Sequence, residues 1–148
     1  MIKRRFRETI NKDDYWLGMA IIGAAGSPSN NRQGCVLVDS NNNLINLSFD
    51  GYLDQQLNSQ NHPVHAEMNS IFSASISNGG TAYITNTPCY NCVVALLSCG
   101  IRRIVYFPTK TLDSKVSDAV YSAYGQIEEF KGNLNWMRDY INTIDVFN

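Results

Sequence analysis

Residues 81–107 read TAYITNTPCYNCVVALLSCGIRRIVYF, and this stretch decides the architecture. Thr81 to Asn86, carrying Ala82, Tyr83 and Ile84, has the length and the apolar content of a strand. From Cys89 to Ser98 the period changes. Val93, Val94, Leu96 and Leu97 form the packed side of a helix, and Gly100 is its stop. Ile101 to Phe107 is again strand-like. Alternating strands and helices of this kind pack as layers around a sheet.

Working outward, Val64 to Ser77 places Met68, Ile71, Phe72 and Ile76 at helical spacing, ended by Asn78-Gly79-Gly80. Before it, Cys35 to Val38 is a short apolar run, Ser40 to Asn43 a turn, and Leu44 to Phe49 its antiparallel partner. Asp50-Gly51 ends that hairpin, and Gln55 to Asn61 is polar loop. At the front, Asp13 or Asp14 can cap a helix that runs through Trp16, Leu17, Met19, Ala20 and Ile21 to about Ala25. The breaker cluster Gly26-Ser27-Pro28-Ser29-Asn30-Asn31 follows it. At the back, Asp113 to Tyr124 and Leu134 to Ile144 read as helices, with Gln126 to Phe130 extended between them. A hairpin joined to strands that alternate with helices predicts an α/β fold of three layers, α/β/α, on a mixed sheet of about five strands. No repeat, linker or low-complexity segment interrupts it, so residues 1–148 are expected to form one domain.

Composition narrows the function classes. The chain has 148 residues, 44% hydrophobic and 17% charged, with a net charge of −1. That size can bury a core without staples, and the near-zero charge offers no polyanion-binding surface, so no stable nucleic-acid binding is expected. No apolar run is long enough for a membrane span. The basic start Met1-Ile2-Lys3-Arg4-Arg5-Phe6-Arg7 lacks the apolar segment of a secretory signal, which leaves a cytoplasmic location as the expectation. In that setting Cys35 and Cys99 read as small core residues.

The remaining cysteines, Cys89 and Cys92, carry the chemistry. The chain has only two histidines, both in His62-Pro63-Val64-His65, and the second opens His65-Ala66-Glu67. Pro88-Cys89-Tyr90-Asn91-Cys92 follows. Each motif begins a predicted helix. Cys89 and Cys92, three apart, share one helix face, and the positive end of the helix dipole favours their thiolates. With His65 they make the three borderline-to-soft ligands of a catalytic zinc that keeps a fourth position for water. A bound metal ion lowers the pKa of that water from ~15.7 to ~7. Glu67, in the same first turn as His65, is placed to move protons beside it rather than to ligate. A redox Cys-x-x-Cys pair, or a closed structural site with His62 as fourth ligand, are the competing readings. The matched His-x-Glu favours an open catalytic site, with His62 in a loop or supporting role, and this pairing of motifs is a signature of nucleobase deaminases.

On these residues the chain resembles the cytidine and deoxycytidylate deaminase superfamily, and within it the phage-type deoxycytidylate (dCMP) deaminases. Asp14-Tyr15-Trp16 to Ala20 is similar to the opening helix of that family. Gly34-Cys35-Val36-Leu37-Val38 is similar to its first strand. His65-Ala66-Glu67-Met68-Asn69-Ser70-Ile71 and Pro88 to Phe107 are similar to its two metal helices and the strand after them, and Leu134-Asn135-Trp136 to the ending of phage members. The resemblance implies a cytidine-deaminase-like fold with one zinc ion per chain, a pyrimidine nucleotide substrate, hydrolysis of dCMP to dUMP and ammonia, and a homo-oligomer. It implies substrate contacts at Arg32, Asp50, Ala66, Asn69 and Tyr106, with Lys110 a second cation for phosphate and Phe107 a second ring for stacking. One departure matters: where the family usually carries Gly-Tyr-Asn-Gly, this chain has Ser48-Phe49-Asp50-Gly51. An ionised Asp50 cannot donate a hydrogen bond and repels a phosphate, which makes a cytidine or deoxycytidine nucleoside deaminase the runner-up. A nucleic-acid base deaminase and a non-catalytic zinc domain are more distant alternatives. The cysteine-free segment from Gly51 to His65 implies no second zinc and no regulation by dCTP or dTTP at the usual site.

Overall fold

The structure, a computed structural model, describes residues 10–28, 32–50, 65–73 and 79–143. The basic N-terminal run, the polar loop Gln55 to Asn61, His62 and the end of the helix predicted to reach Ser77 lie outside the described residues.

The chain forms α1 (Lys12–Ala24), β1 (Gly34–Val38), β2 (Leu44–Phe49), α2 (Ala66–Ser73), β3 (Thr81–Ile84), α3 (Tyr90–Ser98), β4 (Arg103–Tyr106), α4 (Lys115–Ser122), β5 (Gln126–Glu129) and α5 (Asn135–Thr143). The five strands make one sheet in the order β2-β1-β3-β4-β5. β1 pairs antiparallel with β2 and β3, and β3, β4 and β5 are mutually parallel, so the sheet is mixed.

Period-two alternation divides the core in two. Cys35, Leu37, Ala82, Ile84, Ile104 and Tyr106 face Ala66 of α2, Val93, Leu96 and Leu97 of α3, and Val116 and Val120 of α4. Val36, Val38, Tyr83 and Val105 face Leu17 and Ala20 of α1. Helix α5 lies against α1, where the Trp136 ring stacks on Tyr15 at 5.5 Å and its indole N–H donates to the Asp14 carbonyl at 2.9 Å. All five residues of β1 are buried because helices cover both of its faces.

Close approach at Gly34 fixes how α1 meets the sheet. A Cβ there would collide with the Ala20 carbonyl oxygen and stand 3.1 Å from the Ala24 nitrogen. In the hairpin, Asn42 adopts φ 64° and its side chain takes the Trp16 indole N–H at 2.6 Å.

The N-cap of α1 differs from the expected one. Asn11, not Asp13 or Asp14, caps the helix, accepting from the Asp13 and Asp14 N–H groups. Asp13 is used elsewhere: it takes two bonds from the Arg103 guanidinium, at 2.8 and 2.7 Å, and one from the Tyr83 hydroxyl at 2.7 Å. Arg103 also reaches Glu128 of the edge strand at 2.7 Å. This half-buried network joins α1 to β3, β4 and β5 across the second core.

The Arg103 bonds hold the Asp13 carboxyl below its ordinary value of 3.8, so its contribution is complete above that pH and is lost as pH falls through the folded-state value. Asp13→Ala is expected to cost about 1.5–3 kcal/mol in urea unfolding at neutral pH, the scale of hydrogen bonds to a charged group. The gap from wild type should shrink on descending from roughly pH 4.

Candidate metal centre

The metal motifs converge at the end of the sheet where β3 and β4 finish. His65 immediately precedes α2, and Ala66 anchors that helix start in the same core cluster as Val93 of α3. Hydrogen bonds from β2 add to this. The Ser48 hydroxyl donates to the Ala66 carbonyl at 3.0 Å and pairs with the Ser70 hydroxyl, and the Asn46 amide donates to the Ser70 carbonyl at 3.2 Å.

On the facing helix Cys89 is the N-cap residue (φ −78°, ψ 160°) and makes no side-chain cap bond. A serine or aspartate at this position would spend its oxygen on the first-turn N–H groups. The cysteine leaves its sulfur for the centre. Cys92, one turn on, is buried beneath it.

His65, Cys89 and Cys92 bring their ligand atoms within 4.8 Å of one another. His65 Nδ1 lies 3.3 Å from Cys92 Sγ and 3.7 Å from Cys89 Sγ. Nitrogen and sulfur on opposite arms of a tetrahedral zinc stand about 3.6 Å apart, given Zn–N of about 2.05 Å and Zn–S of about 2.3 Å. The donor set and its spacing therefore fit zinc.

Glu67 supplies a second sign of fit. It is 1% exposed, and neither carboxylate oxygen has a hydrogen-bond partner. Burial pushes its carboxyl above the usual range, and Asp50 adds to the effect from nearby. The Cys92 thiol, the backbone N–H of Glu67 itself and the charge of His65 pull the other way, each by more than Asp50 adds, without reversing the effect of burial. Burial, followed by the Glu67 charge, also pushes the Cys92 thiol far up. A buried acid with no partner beside three convergent ligands matches a centre that leaves one coordination position open.

The other residues singled out in the sequence lie as follows. Asp50 is 3% exposed; its Oδ1 takes the Gln33 N–H at 2.9 Å and its carbonyl takes the Ser27 hydroxyl at 2.7 Å. Arg32, beside Gln33, is exposed. Tyr106 is buried in the core cluster that contains Ala66, while Phe107 is partly exposed and stacks on Phe130 at 6.4 Å. Asn69 lies on α2, and its side chain is outside the described residues. Cys35 is buried against Ser70 and near Glu67, as a small core residue should be, whereas Cys99 is half-buried at the end of α3. Sequence reading missed Ser48, Ser70 and Thr87, which support the two helix starts. Serine and threonine are too common in turns to give a signal there.

Residues 10–108 match the family defined as the cytidine and deoxycytidylate deaminase zinc-binding region. The chain belongs to this family. Among its relatives, the deoxycytidylate deaminase of Pongo abelii is 25% identical over 124 residues, which are 72% of this chain and 70% of that protein. That of Enterobacteria phage T4 is 36% identical over 84 residues, 52% of this chain and 43% of the phage protein. This family member thus aligns with less than half of the phage protein's length. The fold matches a dCMP deaminase from the cyanophage S-TIM5, solved in complex with dCMP and dUMP, at a TM-score of 0.66 and 13% identity. That match covers 83% of this chain and 99% of the other. The mixed sheet flanked by helices is therefore the deaminase fold.

Cys92→Ser should abolish stoichiometric zinc binding, since it removes one of three ligands. Metal analysis after dialysis checks this, with one zinc per chain expected in the wild type and well under half in the variant. Thermal unfolding of the wild type should drop on chelation, because bound metal stabilises the folded state by mass action.

Proposed function

We propose that this deaminase hydrolyses dCMP to dUMP and ammonia. The observation that carries the reading is the buried, unpartnered Glu67 carboxylate beside the convergent His65, Cys89 and Cys92. The deoxycytidylate deaminases among the relatives support the nucleotide, and a net charge of −1 favours a small substrate over a polyanion.

Zinc bound by His65, Cys89 and Cys92 supplies a Lewis acid and a water that ionises near neutral pH. The chain's own groups do the rest. Glu67 accepts a proton from the attacking water at a carboxylate oxygen and delivers it to N3 of the pyrimidine. It then carries a second proton to the amine that leaves as ammonia. Ala66 and Tyr106 form the wall against which the base packs. Asn69, Arg32 and Asp50 complete the proposed contacts, with Asp50 accepting a hydrogen bond from a sugar hydroxyl.

A second reading has a specific observation behind it. Asp50 is a buried acid near Glu67, and a carboxylate there disfavours phosphate. A nucleoside deaminase is that alternative.

Ammonia release from dCMP, deoxycytidine, dCTP and a cytosine oligonucleotide, assayed in parallel with a chelated control, separates the two. The expected result is a dCMP preference lost on chelation. A preference for deoxycytidine would transfer the assignment to the nucleoside. Glu67→Gln should keep zinc and fold while losing at least ~100-fold in turnover, the scale of general acid–base catalysis. Retained turnover in that variant would overturn the mechanism.

Asp50→Asn keeps an oxygen for the Gln33 N–H and removes the negative charge. It is expected to raise kcat/KM for dCMP several-fold relative to deoxycytidine, on the scale of one screened charge contact. An unchanged ratio would place the phosphate out of reach of Asp50.

A further inference from the structure

Thr87 stands two residues before the metal ligand Cys89 and is 1% exposed. Its hydroxyl donates to the Lys110 carbonyl at 3.0 Å and accepts from the Thr109 and Lys110 N–H groups at 2.9 and 3.2 Å. The Thr109 hydroxyl oxygen accepts the Thr87 N–H at 3.1 Å. A threonine hydroxyl has one proton and two lone pairs, and here all are used. The loop after β4 is thereby clamped to the loop that delivers Cys89, and the clamp fixes the backbone of Lys110. Two residues span at most about 7 Å, so the clamped loop lies close to the metal centre.

Three arginines among the described residues are less well placed. Arg103 is held by Asp13 and Glu128, and the Arg102 guanidinium donates to the Leu97 and Ile101 carbonyls. Arg102 precedes β4 and Arg103 begins it, at the end of the sheet away from the ligands. Arg32 adjoins Gln33, whose N–H is bound to the buried Asp50, so an anion arriving there meets a carboxylate. Lys110 is exposed and makes no ion pair with any described residue.

We propose that Lys110 is the cation that receives the 5′-phosphate of the substrate, and that Thr87 is the positioning residue that holds it over the centre. The proposal rests on the nucleotide reading above and deepens it. A backbone locked by buried hydrogen bonds lowers the ordering cost of binding, since only the lysine side chain remains to be fixed. The contact discriminates by phosphate alone, because deoxycytidine offers the same base and sugar without the charge.

The test measures binding rather than turnover, on zinc-loaded Glu67→Gln protein, by calorimetry with dCMP and with deoxycytidine. The ratio of the two dissociation constants is the readout. Lys110→Ala is expected to reduce the preference for dCMP at least ~10-fold, and the preference in the parent protein should weaken with added salt. Lys12→Ala, at the start of α1, should leave the ratio where it was. Thr87→Val, of the same shape but without the hydroxyl, should lower the ratio as Lys110→Ala does. The double variant should be no worse than either single one, and Thr87→Ser should restore the parent value.

An unchanged ratio in Lys110→Ala, or no preference for dCMP in the parent protein, overturns the assignment of Lys110. An unchanged ratio in Thr87→Val overturns the role of the clamp. If wild-type enzyme fails to turn over dCMP while the ratio still falls in Lys110→Ala, the nucleotide-deaminase reading fails and the phosphate contact stands.

Discussion

Two helix starts must meet within reach of one metal ion, and their meeting is enforced by the burial of Ala66 and Val93 in one core cluster. No ligand achieves this alone. His65 stands outside α2, Cys89 caps α3, and the two are 24 positions apart in the chain. The apolar face made by Cys35, Ile84 and Tyr106 sets the height of both helices above the sheet. The parallel pairing of β3 with β4 then sets their direction, because a crossover helix must begin where the first strand ends. Disturbing that face would disperse the ligands even with all three residues intact.

The centre has a cost that the rest of the fold offsets. A buried group that lacks its hydrogen bond loses about 1–3 kcal/mol, and Glu67 leaves both oxygens unpartnered. Near it lies Asp50, whose charge disfavours a second carboxylate at Glu67. A site that was only structural would be expected to satisfy these groups. Retaining them fits a tension relieved by metal and substrate, with the second core, the Arg103 network and the α1–α5 aromatic contact providing the stability elsewhere.

Much of this was legible in the sequence, for identifiable reasons. The strand–helix–strand run from Thr81 has clean periods and a glycine stop, and its elements fall where expected to within two or three residues. The metal set was legible because cysteine and histidine are scarce and their spacing is constrained by helix geometry. The cap of α1 was misread because three candidate cap residues lie between Asn11 and Asp14, and only tertiary structure shows that Arg103 claims Asp13. Thr87 and Ser48 gave no signal, since their importance lies in partners 18 to 23 positions away.

The tight approach at Gly34 has a consequence for how the site tolerates change. The Gly34 N–H bonds the Thr85 hydroxyl at 2.9 Å, and its carbonyl takes the Thr85 N–H at 3.1 Å. Gln33, its neighbour, holds Asp50. A single methyl group at position 34 could be housed only by prising α1 from the sheet or by shifting β1. Either movement would reach the buried Asp50 through Gln33, and through Thr85 the loop that leads to Cys89. A position with no chemistry of its own thus acts as a hard stop between α1 and the sheet, and a side chain there would be felt at Asp50 and Thr85 as well as in the packing of α1.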